Sequence, residues 1–190
     1  MPGQHRAVAP ESLRRRSGML KAEATHDFDE GIVRDTVVIN RDSYPEDWAY
    51  SDAEAYYTQS LKNRDNVHIV LRDNGKSVGY LFAITHNAAM IELKADDQLM
   101  KPDARAYYIE NVAILPAFRR RKGFSEMLQV LREELRKRGI SKISLHARVS
   151  NRLSEVVQEN MKIIEIRRIS AWRYYNYQEP TDYIEAEWCP

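Results

Sequence analysis

The sequence predicts one α/β (α+β) domain whose sheet contains both antiparallel and parallel strand pairs. Two extended runs, VHIVLR and SVGYLFAITH, are joined through Asn74 and Gly75, which suit the positive φ angles of a tight hairpin turn. Two further alternating runs close the chain and predict a second hairpin. Between the hairpins, the order strand, helix, strand is typical of a parallel βαβ unit. Both kinds of pairing therefore belong to one mixed sheet.

The first part of the chain is less regular. Residues 19–26 alternate weakly and predict a first strand, whereas residues 28–45 mix helical and strand-like spacings and give no assignment. Asp52 is the predicted cap of a helix that ends before Asn66. Residues 87–104 are predicted to form a long acidic and polar connection.

The second half has clearer periodicity. A strand over residues 105–115 is rich in β-branched and aromatic residues and ends at Pro116. From Ser125 an apolar stripe at helical spacing predicts a surface helix, which Gly139 ends. Further predicted elements are a strand over 142–149, a helix over 153–161, and the terminal hairpin of runs 163–177 and 181–188, parted by Glu179 and Pro180.

The overall charge argues against a general attraction to polyanions. The chain has 190 residues, with 29 Lys and Arg against 28 Asp and Glu, and its formal charge is +1. A chain with so balanced a charge has no global field for nucleic acid or an anionic membrane. We therefore expect no nucleic-acid or membrane partner, and any basic function must be local.

The chain carries one cysteine, Cys189, which cannot form an internal disulfide. No apolar run approaches the ~20 residues that span a bilayer, and the opening residues lack the apolar stretch of a secretory signal. We expect a cytoplasmic protein, with residues 1–18 as a flexible tail and residues 19–190 as one domain. The sequence leaves a homodimer open.

A basic turn between the strand and the helix calls for a specific explanation. Residues 119–122 are three arginines and a lysine, and Gly123 follows them where the helix starts. Helix amides in the first turn have no internal partners, and the helix dipole adds roughly half a positive charge there. A glycine would also let the backbone approach a ligand closely. The turn is either a phosphate site or a solvated run of charges.

The order of these elements and their motifs resembles the GNAT superfamily of N-acetyltransferases over most of the chain. Residues 114–116, ILP, look like the family's VxP strand end, and residues 120–125, RRKGFS, resemble its coenzyme signature (Q/R)xxGx(G/A), with Ser125 in the last place. Asn151 resembles the asparagine that opens the family's last helix, and Gly79 matches its third strand. The resemblance implies a mostly antiparallel central sheet with helices on both faces and a parallel pair around the coenzyme site.

The sequence departs from the family pattern in two places. Seven positions separate Pro116 from Gly123 where the family has six, so one arginine is extra and the loop is expected to bulge. Gln158 stands where the family's last helix has a tyrosine. The identity of the acid catalyst is therefore open, and solvent or one of Tyr174, Tyr175 and Tyr177 are the alternatives.

The resemblance implies that acetyl-CoA is the cosubstrate and that an amine on a small molecule or a protein attacks its thioester directly. The backbones of Val112 and Ile114 are implied to contact the pantetheine arm. The implied coenzyme-binding residues are Val112, Ile114, Arg119, Arg120, Arg121, Lys122, Gly123, Phe124, Ser125 and Asn151. The alternative interpretation of Asn151 is an ordinary turn residue or helix cap.

Glu110 is the predicted catalytic residue. An alkyl ammonium has a pKa of ~10.4 and must lose a proton before it attacks, and apolar neighbours would raise the pKa of a strand glutamate into a useful range for a base. The alternative is an outward glutamate in a cross-strand pair. The amide of Val112 is the implied oxyanion donor, worth roughly 3 kcal/mol when well aimed.

Other chemistries have weaker signals. The five histidines are scattered and lack the short spacings of a metal site, so we predict no metal, and His146 is interpreted as structural. Two alternative functions stay open. The first is a domain of the same fold that binds an acyl-CoA without turnover, as a sensor or interaction module. The second is a nucleic-acid binder that uses residues 14–16, the basic turn and the aromatic run WRYYNY.

Overall fold

Alternating apolar residues form a seven-stranded sheet in the computed structural model, which describes residues 19–44, 52–174 and 177–189. The predicted tail lies outside these residues. The strands are β1 (Lys21–Thr25), β2 (Val67–Asp73), β3 (Lys76–Thr85), β4 (Ala106–Ile114), β5 (Lys142–Arg148), β6 (Lys162–Tyr174) and β7 (Tyr177–Glu187). The helices are α1 (Glu30–Ser43), α2 (Ala53–Lys62), α3 (His86–Glu92), α4 (Gly123–Lys137) and α5 (Leu153–Asn160).

The sheet has the order β1-β2-β3-β4-β5-β7-β6, and every neighbouring pair is antiparallel except β4 with β5. The strand–helix–strand unit β4-α4-β5 is therefore parallel, as predicted. Asn74 and Gly75 turn the first hairpin at φ angles of 50° and 80°. The mixed, mostly antiparallel sheet that the sequence predicts is confirmed.

Helices cover both faces of the sheet. On one face, the apolar stripe of α4 packs with α5 on a core that includes Leu81, Ile109 and Leu145. On the other face, α1 and α2 pack over Tyr80 and the end of β4, and α3 packs beside them. Burial of the α4 stripe fixes the helix on the sheet, and this places its first turn beside the end of β4.

One segment without an assignment is helical, and two predicted connections were wrong. Residues 28–45 contain α1, whose cap is Asp29, because that carboxylate accepts from the Gly31 amide at 2.6 Å. The connection after β3 contains α3, which begins where the Thr85 hydroxyl accepts from the Ala88 amide. In the terminal hairpin β7 begins at Tyr177, so the predicted turn lies within the strand. Asp29 and Thr85 cap the first turns of these two helices. The apolar spacing of the helices is too weak to predict them by itself.

β2 carries a buried histidine on the face of the sheet that α1 and α2 cover. His68 stacks on the ring of Tyr80, with centroids 6.1 Å apart, and lies 5.8 Å from the ring of Phe82. Neither ring nitrogen has a hydrogen-bond partner among the described residues. Burial lowers its pKa from 6.5 to about 4, so the folded protein holds this imidazole neutral.

Replacing His68 by phenylalanine should remove part of the protein's sensitivity to acid. Below pH 6.5 the unfolded chain binds a proton at His68, whereas the folded chain does not bind it until about pH 4. The free energy of unfolding therefore decreases as the pH is lowered from 6.5 to about 4. Protonation of His68 accounts for a loss of about 3 kcal/mol in the free energy of unfolding across this range. Urea unfolding at pH 7 and pH 4 should show a smaller loss for His68→Phe than for the parent. His26→Asn, at an exposed histidine, is the control, and equal losses in parent and His68→Phe would contradict the assignment.

Candidate active site

The site begins where two parallel strands separate. β4 pairs with β5 only from Ala106 opposite Lys142 to Ile109 opposite Leu145, after which β5 stays with β7. β4 continues alone on that side to Ile114. The separated part of β4, residues 110–114, is called the open edge below.

Backbone groups of Val112 and Ile114 point out from the open edge. Their carbonyl oxygens accept from side chains, the hydroxyl of Tyr44 at 2.7 Å and Nε of Arg119 at 2.9 Å. Because the N–H and C=O of one strand residue point the same way, the amides of Val112 and Ile114 face this side too. The open edge therefore offers two backbone donors, whereas its carbonyls are already bonded.

A β-bulge places two consecutive side chains of β4 on the same face. Asn111 lies opposite Phe82 and Ile109 opposite Ala83, so Glu110 is the extra residue on β4. Without the bulge, neighbouring side chains would point to opposite faces. With it, both Glu110 and Asn111 point toward α1 and α2.

Glu110 is half-buried beneath α2. Its carboxylate accepts a hydrogen bond from the hydroxyl of Tyr56 at 2.5 Å. Burial raises the pKa of Glu110 from 4.5 to about 7; the bond from Tyr56 lowers it and the charge of Glu92 raises it. This carboxyl group is thus partly protonated near neutral pH. A pKa in this range suits a general base.

Asn111 belongs to a closed ring of hydrogen bonds with two buried tyrosines. Tyr57 donates to Tyr80 at 2.8 Å, Tyr80 donates to Oδ1 of Asn111 at 3.1 Å, and Nδ2 of Asn111 donates back to Tyr57 at 3.3 Å. Asn40 of α1 donates to both tyrosine hydroxyls. The ring and Asn40 together fix α1 and α2 on the bulge, and these four residues come from four elements.

The basic turn has the backbone of an anion site. Arg120 and Lys122 both adopt a φ angle of 61°, in the left-handed region that favours glycine. The first bond of α4 runs from the Glu126 amide to the Lys122 carbonyl, so the amides of residues 123–125 precede the helical ladder. A chain that alternates in this way exposes successive amides in a concave surface that suits an anion.

Two of the four basic side chains bind protein groups instead. Arg119 donates to the carbonyl of Ser43 at 2.8 Å as well as to the open edge. Arg121 lies 3.2 Å from the Asp73 carboxylate and over the Phe118 ring. Arg119 and Arg121 therefore hold the turn against the sheet and α1, and their contact with phosphate stays a prediction. Arg120 and Lys122 are exposed and make no ion pair with any described residue.

Gly123 and Phe124 serve packing rather than close ligand approach. A Cβ at Gly123 would lie 2.6 Å from Cδ2 of Leu71 and 3.1 Å from Cδ1 of Ile114, so the missing side chain lets α4 approach the sheet. The ring of Phe124 is buried in the core. The expected role of this glycine is thus corrected, and both residues face the anion site only through their amides, as the half-buried Ser125 does.

Beyond the end of β5, Asn151 and Gln158 both bond groups of α5. Oδ1 of Asn151 accepts from the Leu153 amide at 3.0 Å, which is the helix-cap reading of this residue. Gln158 is exposed and its amide folds back on Ser154, at 3.2 Å from the carbonyl and 3.1 Å from the hydroxyl. No acid therefore stands at this position of α5. The side chains of Tyr174, Tyr175 and Tyr177 lie outside what the structure describes.

His146 is held in a buried polar chain. Nε2 lies 3.1 Å from Asp97, which also accepts from Arg167, and Nδ1 lies 2.9 Å from the hydroxyl of Tyr108. Burial lowers the pKa of His146, so the ring is neutral, and donation to Asp97 leaves Nδ1 as the acceptor from Tyr108. The chain ties β4 to β5 near the point where they separate, which agrees with the structural interpretation.

Within the described ranges, no three His, Cys, Asp or Glu side chains are grouped so as to hold a metal ion. The described helices include none with the length and apolar composition to cross a bilayer.

The separated parallel pair and the amide-lined turn define the class of coenzyme-dependent acyltransferases that the sequence resembles. The chain belongs to the acetyltransferase (GNAT) family, whose model matches residues 33–155. No curated protein matches the sequence.

Several solved structures share the fold. The ribosomal-protein-S18-alanine N-acetyltransferase of Escherichia coli is 16% identical, with 89% of this chain and 96% of that chain covered and a TM-score of 0.60. An N-acetyltransferase of Thermoplasma acidophilum, solved in complex with coenzyme A, is 12% identical, with coverages of 88% and 99% and a TM-score of 0.61. A variant spermidine N-acetyltransferase of Vibrio cholerae is 18% identical, with coverages of 88% and 92% and a TM-score of 0.58.

The hydrogen bond from Tyr56 should set how far the pKa of Glu110 rises. Tyr56→Phe removes a donor to the charged carboxylate, so the pKa should increase by about 1 above its value of about 7. A ¹³C NMR titration of the glutamate side-chain carboxyl measures this directly. Tyr57→Phe is the matched control, because that hydroxyl bonds Asn40 and Tyr80. A pKa of Glu110 that is unchanged in Tyr56→Phe would contradict this account.

Proposed function

We propose that this protein transfers an acetyl group from acetyl-CoA to a primary amine by direct attack in a ternary complex. The observation that carries the proposal is the position of Glu110, a carboxyl group with a pKa of about 7 at the first residue of the open edge of β4. Family membership supports acetyl transfer, and the geometry supports an amine as acceptor. We assign the activity to one domain over residues 19–190, and the exposed free thiol of Cys189 supports a cytoplasmic location.

The turn before α4 is the proposed pyrophosphate site. The amides of residues 123–125 precede the first bond of the helix, and the side chains of Arg120 and Lys122 are exposed, so donors and charge are available there. Arg119 and Arg121 support the turn through Ile114 and Asp73 instead. The residues present therefore fit a pyrophosphate, mainly through the backbone.

The open edge is the proposed site of the pantetheine arm. The outward amides of Val112 and Ile114 suit the amide carbonyls of that arm, and Asn151 lies at the end of the facing strand β5. Of the two backbone donors, Val112 is nearer to Glu110 along β4. It is therefore the proposed donor to the oxygen that becomes negative when the amine attacks.

Glu110 is the proposed general base. In its charged form it accepts a proton from the ammonium group of the acceptor, and the neutral amine then attacks the thioester carbon. The carbon–sulfur bond breaks in the second half of the reaction, and the sulfur leaves with the electron pair. The proton on Glu110 passes to solvent, since the carboxyl group is only half-buried. The nitrogen, positively charged after the attack, loses a second proton to solvent as the amide forms.

The acceptor is proposed to be an amine of a small molecule or of a protein. The similar structures include enzymes named for a protein substrate and for spermidine, so one fold serves both kinds. The charge of Glu92 near Glu110 favours a cationic acceptor over a neutral one.

A second candidate is a coenzyme-binding module without turnover, which the folded-back Gln158 favours. A panel of amines with acetyl-CoA and detection of free thiol separates the two. Thiol release that depends on the amine supports the enzyme. Thermal stabilisation by coenzyme A without release supports the module.

Glu110→Gln should slow turnover at neutral pH by about 100-fold and by much less at high pH, where the amine is already neutral. In the parent enzyme, kcat/KM should fall on the acid side of pH 7, because Glu110 is protonated below its pKa of about 7. Glu92→Gln is the matched control, because it removes a charge that raises the pKa of Glu110. In this variant kcat/KM should still fall on the acid side, but at a lower pH than in the parent. Equal slowing of Glu110→Gln at every pH would rule out a base.

Lys122→Gln should weaken coenzyme A binding roughly fivefold, which corresponds to about 1 kcal/mol, because an exposed cation beside the free amides is lost. Isothermal titration at two salt concentrations measures the affinity and its electrostatic part. Arg136→Gln removes one positive charge at the opposite end of α4 and is the matched control. Equal weakening by the two substitutions would indicate the general charge of the helix instead of a site at its first turn.

A further inference from the structure

Tyr44 lies at the open edge, one residue beyond the end of α1 and half-buried. Its hydroxyl is 2.7 Å from the carbonyl oxygen of Val112 and 2.9 Å from Oδ1 of Asn111. It is thus on the same side of β4 as the Val112 amide, which the proposed function assigns to the thioester oxygen.

Both oxygens that contact Tyr44 are acceptors only. The Val112 carbonyl carries no proton, and Oδ1 of Asn111 is fixed as an acceptor because Nδ2 of the same amide donates to Tyr57. The single proton of the Tyr44 hydroxyl is therefore held toward the open edge and shared between two neutral acceptors. A negatively charged sulfur beside it is a stronger acceptor than either oxygen, since charge-assisted hydrogen bonds are about twice as strong.

The other described tyrosine hydroxyls near the bulge have different partners. Tyr56 donates to the Glu110 carboxylate, Tyr80 is buried inside the ring with Asn111, and Tyr108 bonds His146. Gln158 cannot act as an acid and is folded back on its own helix. Of the described tyrosines near the bulge, Tyr44 is the one whose hydroxyl bonds a backbone group of the open edge.

We propose that Tyr44 gives its proton to the departing sulfur. The inference rests on the proposed acetyl transfer and adds to it a catalytic residue from the end of α1. As the carbon–sulfur bond breaks, sulfur takes the bonding pair and the Tyr44 hydroxyl proton. The half-buried phenolate then recovers a proton from solvent, while the proton taken from the amine leaves through Glu110. Counted from the ammonium ion, the nitrogen loses two protons, one through Glu110 before the attack and one to solvent as the amide forms. One proton ends on the thiol and one is released.

Tyr44→Phe tests this with two acyl donors, acetyl-CoA and its selenoester analogue, whose selenolate leaving group is much less basic and needs no proton. With acetyl-CoA, kcat should fall about 100-fold. With the selenoester, kcat should stay within a few-fold of the parent. Tyr80→Phe is the matched control, because it removes a hydroxyl from the same hydrogen-bond network and damage to that network would slow both donors equally.

A readout without turnover uses tyrosine labelled with ¹³C at Cζ. Addition of coenzyme A, with its free thiol, at a pH that ionises part of the thiol should shift the Tyr44 signal, because the hydroxyl gains a sulfur partner. Desulfo-coenzyme A should leave the signal near its free position. Equal shifts with the two ligands would overturn the proposal.

These experiments distinguish an error in the proposed acetyl transfer from an error in the role of Tyr44. If the parent protein releases no thiol with any amine, the acetyltransferase proposal is wrong and the role of Tyr44 is wrong with it. If the parent is active and Tyr44→Phe matches it, or slows both acyl donors by the same factor, only the role of Tyr44 is refuted.

Discussion

The site depends on the end of one parallel ladder. β4 and β5 are bonded through Ile109 and Leu145 and then separate, because β5 keeps its pairing with β7 while β4 keeps its pairing with β3. A strand that is paired on one side only exposes alternate amides and carbonyls on the other, and these must find partners. Side chains satisfy the carbonyls here, and the outward amides are the donors that we propose for the coenzyme arm.

The bulge at Glu110 links this open edge to the helices on the other side. One extra residue turns Glu110 and Asn111 toward the same face, so a carboxyl group and an amide meet the tyrosines of α1, α2 and β3. The amide joins a ring in which each donor has an acceptor, which holds the layer rigidly. The carboxyl group has one hydrogen bond and incomplete hydration, and the same burial that stabilises the ring therefore gives Glu110 a pKa near neutrality.

In the basic turn, two arginine side chains support the backbone and the other two basic side chains are exposed. Arg119 and Arg121 bond Ile114, Ser43 and Asp73, and this holds the turn in a shape that places Arg120 and Lys122 at a φ angle of 61°. Left-handed backbone at residues other than glycine costs roughly 1 kcal/mol each and persists only where the surroundings impose it. The extra arginine relative to the family pattern thus has a structural explanation, since the charge run supplies supports as well as exposed cations.

The sequence by itself determined the order of most strands and helices and the tight turn at Asn74 and Gly75, because each of these rests on local periodicity or on residues adjacent in the chain. The proposals of an anion site before α4 and of Glu110 as the base also came from the sequence. Only the tertiary structure decided that Gly123 packs on Leu71 and that Tyr44, Tyr56 and Asn111 share the site with Glu110. Those residues come from separate elements, and no spacing along the chain relates them. They meet because a bulge and a diverging strand pair bring them to one face, and such long-range geometry is set by packing.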